Sequence, residues 1–298
     1  SMGLSTVLRA VGDAKRAMYA TLSIAVVTVV LDPILIFGLD MGSDGAAMTI
    51  NIARFVTAYV SFRYVTRIHH LLAIPTWKGL LHDARPFLAI AIPAILTNIA
   101  APAANAFFTG VVARFGDEII AASAIIDRVT PVAFAGLFAL AGAIGPVLGQ
   151  NWGALRYDRM KQILKDALTI TVIYVGCVWL ILFLVQVPLT RAFNAPEQTA
   201  ELVQFFCQLS GFIWLFIGLV LVSNASFNNL GYPLLSTFFN WGRATLGMIP
   251  FAYFGAQMAG PKGALVGIGL GSVAFGIAAI ITAFWTIRRL ERQAVSTA

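Results

Sequence analysis

The sequence predicts an all-α polytopic membrane protein, and composition, hydropathy and charge placement all support that prediction. Of its 298 residues 59% are apolar and 11% charged, against roughly 25% charged in an ordinary soluble domain. The mean hydropathy is +0.85, and the charge-free runs 86–113, 129–155, 167–190 and 264–287 each reach the roughly 20 residues that cross a bilayer as a helix. A single soluble domain is excluded. The net charge of +7 does not point to nucleic acid, because the basic residues fall in short loops between apolar runs, where they orient a membrane protein. The expected surroundings are the lipid bilayer, with no nucleic-acid partner. Cys177 and Cys207 lie inside apolar spans and read as small hydrophobes, not as a disulfide scaffold.

Hydropathy places eight helices near 17–38, 45–66, 86–113, 119–148, 166–187, 201–224, 234–255 and 263–287. An even count puts both ends on one side. If that side is the cytoplasm, fourteen of the twenty basic residues fall there, while the opposite loops hold Arg114, Arg191 and Lys262. The positive-inside rule therefore predicts a cytoplasmic-membrane protein with both termini cytoplasmic. Arg54, Arg128 and Arg243 remain at membrane depth and are read as structural buried cations. The stretch from His69 to Arg85 is too short and polar to cross, and suits a cytoplasmic interfacial helix. Its histidines His69, His70 and His82 do not have the spacing of a metal site, so no metal is expected and a solvated connector is.

The first and last helix pairs match one another. Pro33, Phe37 and Gly38 fall on Pro250, Phe254 and Gly255; Gly42, Gly45 and Ala46 on Gly260, Gly263 and Ala264; and Gly12 on Gly231, at offsets of 217 to 219. One helix–loop–helix unit thus recurs in the same orientation, the pattern of a parallel-repeat transporter with its substrate site between two halves. The repeat length implies about 143 further residues before residue 1, so four of twelve helices are expected to be missing from the chain.

Several stretches carry a resemblance: Arg9-Ala10-Val11-Gly12-Asp13-Ala14-Lys15, Leu31-Asp32-Pro33-Ile34-Leu35-Ile36-Phe37-Gly38, the run from Gly145 to Ala154, and Asn228-Asn229-Leu230-Gly231-Tyr232-Pro233. Together they resemble the signature stretches of the multidrug and toxic compound extrusion (MATE) transporters over essentially the whole chain. The resemblance implies a two-lobe, twelve-helix antiporter exchanging H⁺ or Na⁺ for small organic, often cationic, compounds by alternating access. Residues 1–67 would be the last two helices of the first lobe, 68–85 a cytoplasmic connector, 86–287 the second lobe and 288–298 a cytoplasmic tail.

Charge at membrane depth is costly, so each such residue is a functional candidate. Asp32 precedes Pro33, where a lost helix bond frees a carbonyl that with the carboxylate could hold a proton or sodium ion. Capping of the break, or pairing with an arginine of a neighbouring span, is the alternative. Asp127 is the second ion-coupling candidate, and beside it Arg128 could anchor elsewhere, for example on Asp32, or form an intramembrane pair. The third span has no carboxylate from Pro86 to Ala113, where the resemblance implies one in sodium users, so H⁺ is favoured over Na⁺. Asn98, Asn105, Gln208, Asn224 and Asn240 are candidates for the substrate pathway, each alternatively a link between helices. Gly145, Gly149 and Gly153, and Gly267 with Gly271, are read as helix-packing stripes. No hydrolase or nucleotide-binding motif occurs, so no enzyme is expected. Two alternatives stand beside export: a truncated remnant or partner subunit that does not transport, and a flippase for a lipid-linked precursor, to which three scattered arginines are a poor match.

Overall fold

The computed structural model describes residues 2–71 and 76–297, which form helices and their connecting turns. The chain divides into two compact units, 1–83 and 84–298. In the first unit α1 (Met2–Ala10), α2 (Ala14–Asp32), which runs on into a π-helical turn at Pro33–Gly38, and α3 (Gly42–Arg67) pack together. The buried face of α3 is Gly45, Thr49, Ala53, Thr57, Ser61 and Val65, one residue every four. Small side chains at this spacing let α2 approach closely, and Ser23 Oγ meets Thr57 Oγ1 at 2.9 Å. Built mostly from alanine, serine and threonine, the stripe carries no glycine repeat in the sequence.

At one end of this unit Asp13 caps α2, its carboxylate accepting from the Arg16 backbone N–H at 3.1 Å and pairing with the Arg16 guanidinium. His69 Nε2 lies 2.8 Å from the same carboxylate and its side chain is 18% exposed. The chain leaving α3 is thereby tied to the start of α2, which corrects the solvated-connector reading for His69. His82 fits that reading, exposed and 3.1 Å from Asp83. Residues 72–75 of the expected interfacial helix lie outside the described residues, and 77–85 continue directly into the next helix.

The second unit holds most of α4 (Trp77–Val112), then α5 (Asp117–Ala133), α6 (Ala135–Gly153), α7 (Tyr157–Ala192), α8 (Glu197–Asn229), α9 (Pro233–Gly242) with a π-helical turn at Arg243–Met248, and α10 (Ile249–Thr297). The expected span 119–148 is two helices, α5 and α6, bent by 44°. Pro131 lies just before the bend and Phe134 at it has φ −106° and ψ 16°, so the helical hydrogen bonds are interrupted there. Tyr174 of α7 repairs the break, its hydroxyl donating to the Ala133 carbonyl at 2.8 Å and accepting from the Gly136 N–H at 3.1 Å. A side chain at Gly136 would collide with the Tyr174 ring.

α10 is broken at Ala259 and Gly260, where the chain reverses and its two arms pack backbone to backbone. A Cβ on Gly267 would strike the Phe251 carbonyl and one on Gly271 the Gly247 carbonyl, whereas Gly149 and Gly153 meet nothing within 4 Å. The packing reading thus holds for the second stripe, and in the first only for Gly145, which faces the Asn229 side chain. The repeat is visible in the backbone. Gly12 and Gly231 both have positive φ (88° and 81°), as do Gly42 and Gly260 (52° and 61°), conformations glycine adopts without strain. Gly45 and Gly263 both sit against a backbone carbonyl of the preceding arm.

Among the described residues five helices are long and apolar enough to cross a membrane, or six if α5 and α6 form one bent span. The sequence expectation was eight. α3 falls outside this criterion because Asp44, Arg54, Arg63 and Arg67 lower its hydropathy, and residues 233–294 count as one stretch of 62 residues, about three times the roughly 20 that one crossing needs.

Two predictions follow from the capping and the kink. Asp13 is held at about 2, below its ordinary 3.8, chiefly by the Arg16 hydrogen bond and then by His69. A carboxylate depressed in the fold stabilises it above the unfolded value and loses that contribution as pH falls through the folded one. The thermal midpoint in detergent should therefore drop between about pH 4 and 2, with the drop reduced in Asp13→Asn. Tyr174→Phe strands a carbonyl and an N–H in the bilayer and should lower unfolding stability by about 1–2 kcal/mol, measured by denaturant titration in micelles.

Candidate ion and substrate sites

In the first unit Asp32 ends α2 at the point where the helix widens into its π turn. π turns carry one residue more than an α-helical turn and recur at functional positions. The side chain is half-buried. Its Oδ1 is fully buried with no hydrogen-bond partner among the described residues, and it makes neither a cap nor, among those residues, an ion pair. Neither the capping nor the arginine-pairing alternative is therefore realised in the described residues. A buried carboxylate oxygen without a donor is free to accept one from an arriving ion or proton carrier, so the position is chemically suited to an ion-coupling role.

The other charged candidates differ from expectation in their exposure. Arg54 and Arg128 are exposed and Arg243 is half-buried, so the reading of all three as buried cations is corrected for the first two. Depth along a helix is legible in sequence, but which face carries the residue depends on packing. Asp127 is exposed on α5 next to Arg128. Adjacent residues project about 100° apart, and no ion pair joins Asp127, Arg54, Arg128 or Arg243 to a partner among the described residues.

The amide candidates separate into three groups. Asn98 and Asn240 donate to carbonyls of their own helices, Ala94 at 2.8 Å and Ser236 at 2.9 Å. Gln208 donates to Gln186 Oε1 at 3.0 Å, linking α8 to α7 as the glue alternative has it. Asn105 is exposed on α4, and Asn224 is buried with Oδ1 unpartnered among the described residues. These five do not line an apolar groove of the second unit. That groove, about 630 Å³, opens between α8 and the two arms of α10. It is lined by Phe205, Phe251, Phe254, Met258 and Leu270, with Lys262 its charged lining residue. Lys262 Nζ stands 5.7 Å above the Phe205 ring and 2.5 Å from Glu201 Oε1, while Met258 is 88% exposed. A flexible thioether, aromatic faces and one ion pair suit an amphipathic organic guest. The groove has no local sequence pattern, because the fold at Gly260 brings Lys262 to Glu201 across 61 positions.

Comparison with known proteins agrees with this architecture. A Vibrio cholerae MATE transporter, VcmN in its bent form, superposes with a TM-score of 0.85 at 22% identity over 95% of this chain and 65% of its own. A MATE structure in the straight conformation gives 0.87 at 20% identity over 97% and 66%. Among relatives, a FAD transporter of Shewanella oneidensis is 28% identical over 91% of this chain and 61% of its own. The probable multidrug resistance protein NorM of Thermotoga maritima is 24% identical over 84% and 56%. An uncharacterised 21 kDa protein of Pseudomonas savastanoi is 30% identical over 82% and 80%. The chain thus spans 61% and 56% of the two named transporters' lengths. The profile of the MatE family matches residues 93–254, and with it this multi-pass membrane chain belongs to the MatE family.

Proposed function

We propose that this chain works as an ion-coupled antiporter that exports small organic, cationic compounds by alternating access, in the cytoplasmic membrane with both of its ends on the cytoplasmic side. The observation that carries the coupling is Asp32, whose buried oxygen lacks a donor at a π turn. Asp127, exposed on α5 and unpaired among the described residues, is the second candidate. The proton is favoured over sodium. A single carboxylate suffices to carry a proton, whereas a hard metal ion needs several oxygen ligands, and α4 offers no carboxylate from Pro86 to Ala113. The apolar groove with its aromatic lining supports organic guests, the Glu201–Lys262 pair giving it one polar rim.

A second reading has one specific support. The Shewanella oneidensis relative is described as a FAD transporter, and half-buried Arg243 on the π turn of the second unit has no ion-pair partner among the described residues. A phosphate-bearing substrate would supply one.

The test is counter-transport in proteoliposomes. An imposed pH gradient should drive ethidium exchange, and Asp32→Asn should cut the initial rate at least about tenfold with the amount of inserted protein unchanged. An undiminished rate removes Asp32 from the mechanism. Transport driven equally well by a sodium gradient at fixed pH would reassign the ion, and FAD movement without ethidium movement would favour the second reading. In the groove, Phe254→Ala and Met258→Ala should raise the half-saturating ethidium concentration several-fold with little change in maximal rate, the pattern of a lost binding contact.

A further inference from the structure

We infer that the groove between α5 and α7 of the second unit binds an anionic phospholipid, its phosphate on Arg128 and one acyl chain along the apolar floor. The groove is about 470 Å³ and is lined by Arg128, Val129, Val132, Ile181, Leu189 and Phe193 among others, Arg128 being its charged group. Arg128 makes no ion pair or hydrogen bond among the described residues. A guanidinium at membrane depth without a carboxylate is costly, and the groove supplies no acidic side chain to relieve that cost. Asp127, next along the helix, projects about 100° away.

The surroundings indicate what relieves it. Val132 is 80% exposed, and Ile181 and Leu184 on α7 are also exposed, so this face of the second unit is apolar and uncovered by its own helices. Arg128 stands eleven residues from Asp117 at the start of α5, or about 16 Å along the axis. Helical side chains lean toward the helix N-terminus. The guanidinium therefore snorkels toward the end of α5 that carries Asp117. The far end of α7 lies on that same side, because Thr199 at the start of the following helix donates to the Glu118 carbonyl at 2.8 Å. Along α7 the groove runs from Val178 to Phe193, about 22 Å, so apolar lining continues past Arg128. An occupant with an apolar tail and a negative head on Arg128 satisfies the exposed apolar rim and the lone positive charge together. A neutral phospholipid satisfies only the first.

The inference rests on the membrane location and not on which substrate is exported. Its test is native mass spectrometry of the full chain released from detergent, titrated with phosphatidylglycerol and with phosphatidylcholine of the same acyl chains. The wild type should retain one phosphatidylglycerol with at least about tenfold preference over phosphatidylcholine. Arg128→Gln should abolish that preference, and Arg128→Lys should keep most of it. Val132→Trp, at an exposed position without a core role, should block the groove and lower retention of both lipids. Equal retention of the two lipids by the wild type overturns the proposal, as does phosphatidylglycerol retention unchanged in both Arg128→Gln and Val132→Trp.

Discussion

The constraint on which the rest of this structure depends is that, inside a bilayer, the chain must satisfy its own backbone and hydroxyl groups. The response is visible wherever a helix is interrupted. At the α5–α6 bend one tyrosine hydroxyl serves both the Ala133 carbonyl and the Gly136 N–H. At Pro33 the helix passes into a π turn and continues, so the missing N–H does not end the segment. Threonine and serine hydroxyls at Thr49, Thr57, Ser123, Thr171 and Ser272 turn back onto the carbonyl four residues earlier. Such local bonding lets polar residues sit in apolar helices at little cost.

Against that background the groups left unsatisfied stand out. A fold that closes so many hydroxyls locally still leaves an oxygen of Asp32 buried without a donor and three arginines at membrane depth without carboxylates among the described residues. Helical interruptions would have been easy to build without a carboxylate: the repeat-equivalent proline, Pro250, follows Ile249. The charges therefore do not come with the architecture. They are additions to it, and their partners are to be sought among ions, substrates and lipids, to which a membrane transporter is exposed.

What the sequence made legible follows from the physics of each signal. Hydropathy is a sum over many residues, so the apolar helical character was legible although the count of spans differs; positive φ is nearly a glycine property, so the repeat written in Gly12, Gly42, Gly231 and Gly260 emerges as matched backbone turns. Facing direction was not legible. Arg54 and Arg128 were read as buried because they lie midway along apolar runs, yet packing turned both outward. Gln208, a pathway candidate or a link between helices by its sequence, meets Gln186 on α7. His69 reaches Asp13 across 56 positions, and Lys262 reaches Glu201 across 61. Neither pair has a local pattern that could announce it.

The two copies of the repeat show how one backbone device can serve two chemistries. Pro33, Phe37 and Gly38 in the first unit correspond to Pro250, Phe254 and Gly255 in the second. In the first copy the residue before the proline is Asp32, and the π turn begins at the proline itself. In the second the residue is Ile249, and the π turn ends just before it, at Met248. Displaced in this way, the second copy presents Pro250, Phe254 and Gly255 as lining of the large apolar groove, while the first presents a half-buried carboxylate. An antiporter needs an ion site and a site for an organic guest whose occupancies influence each other through two states of the protein. On the proposed function, one such site on each copy of a duplicated element would let a single kind of helix break carry both. Before the shared proline the copies exchange aspartate for isoleucine, and in structure the π turn is shifted along the helix.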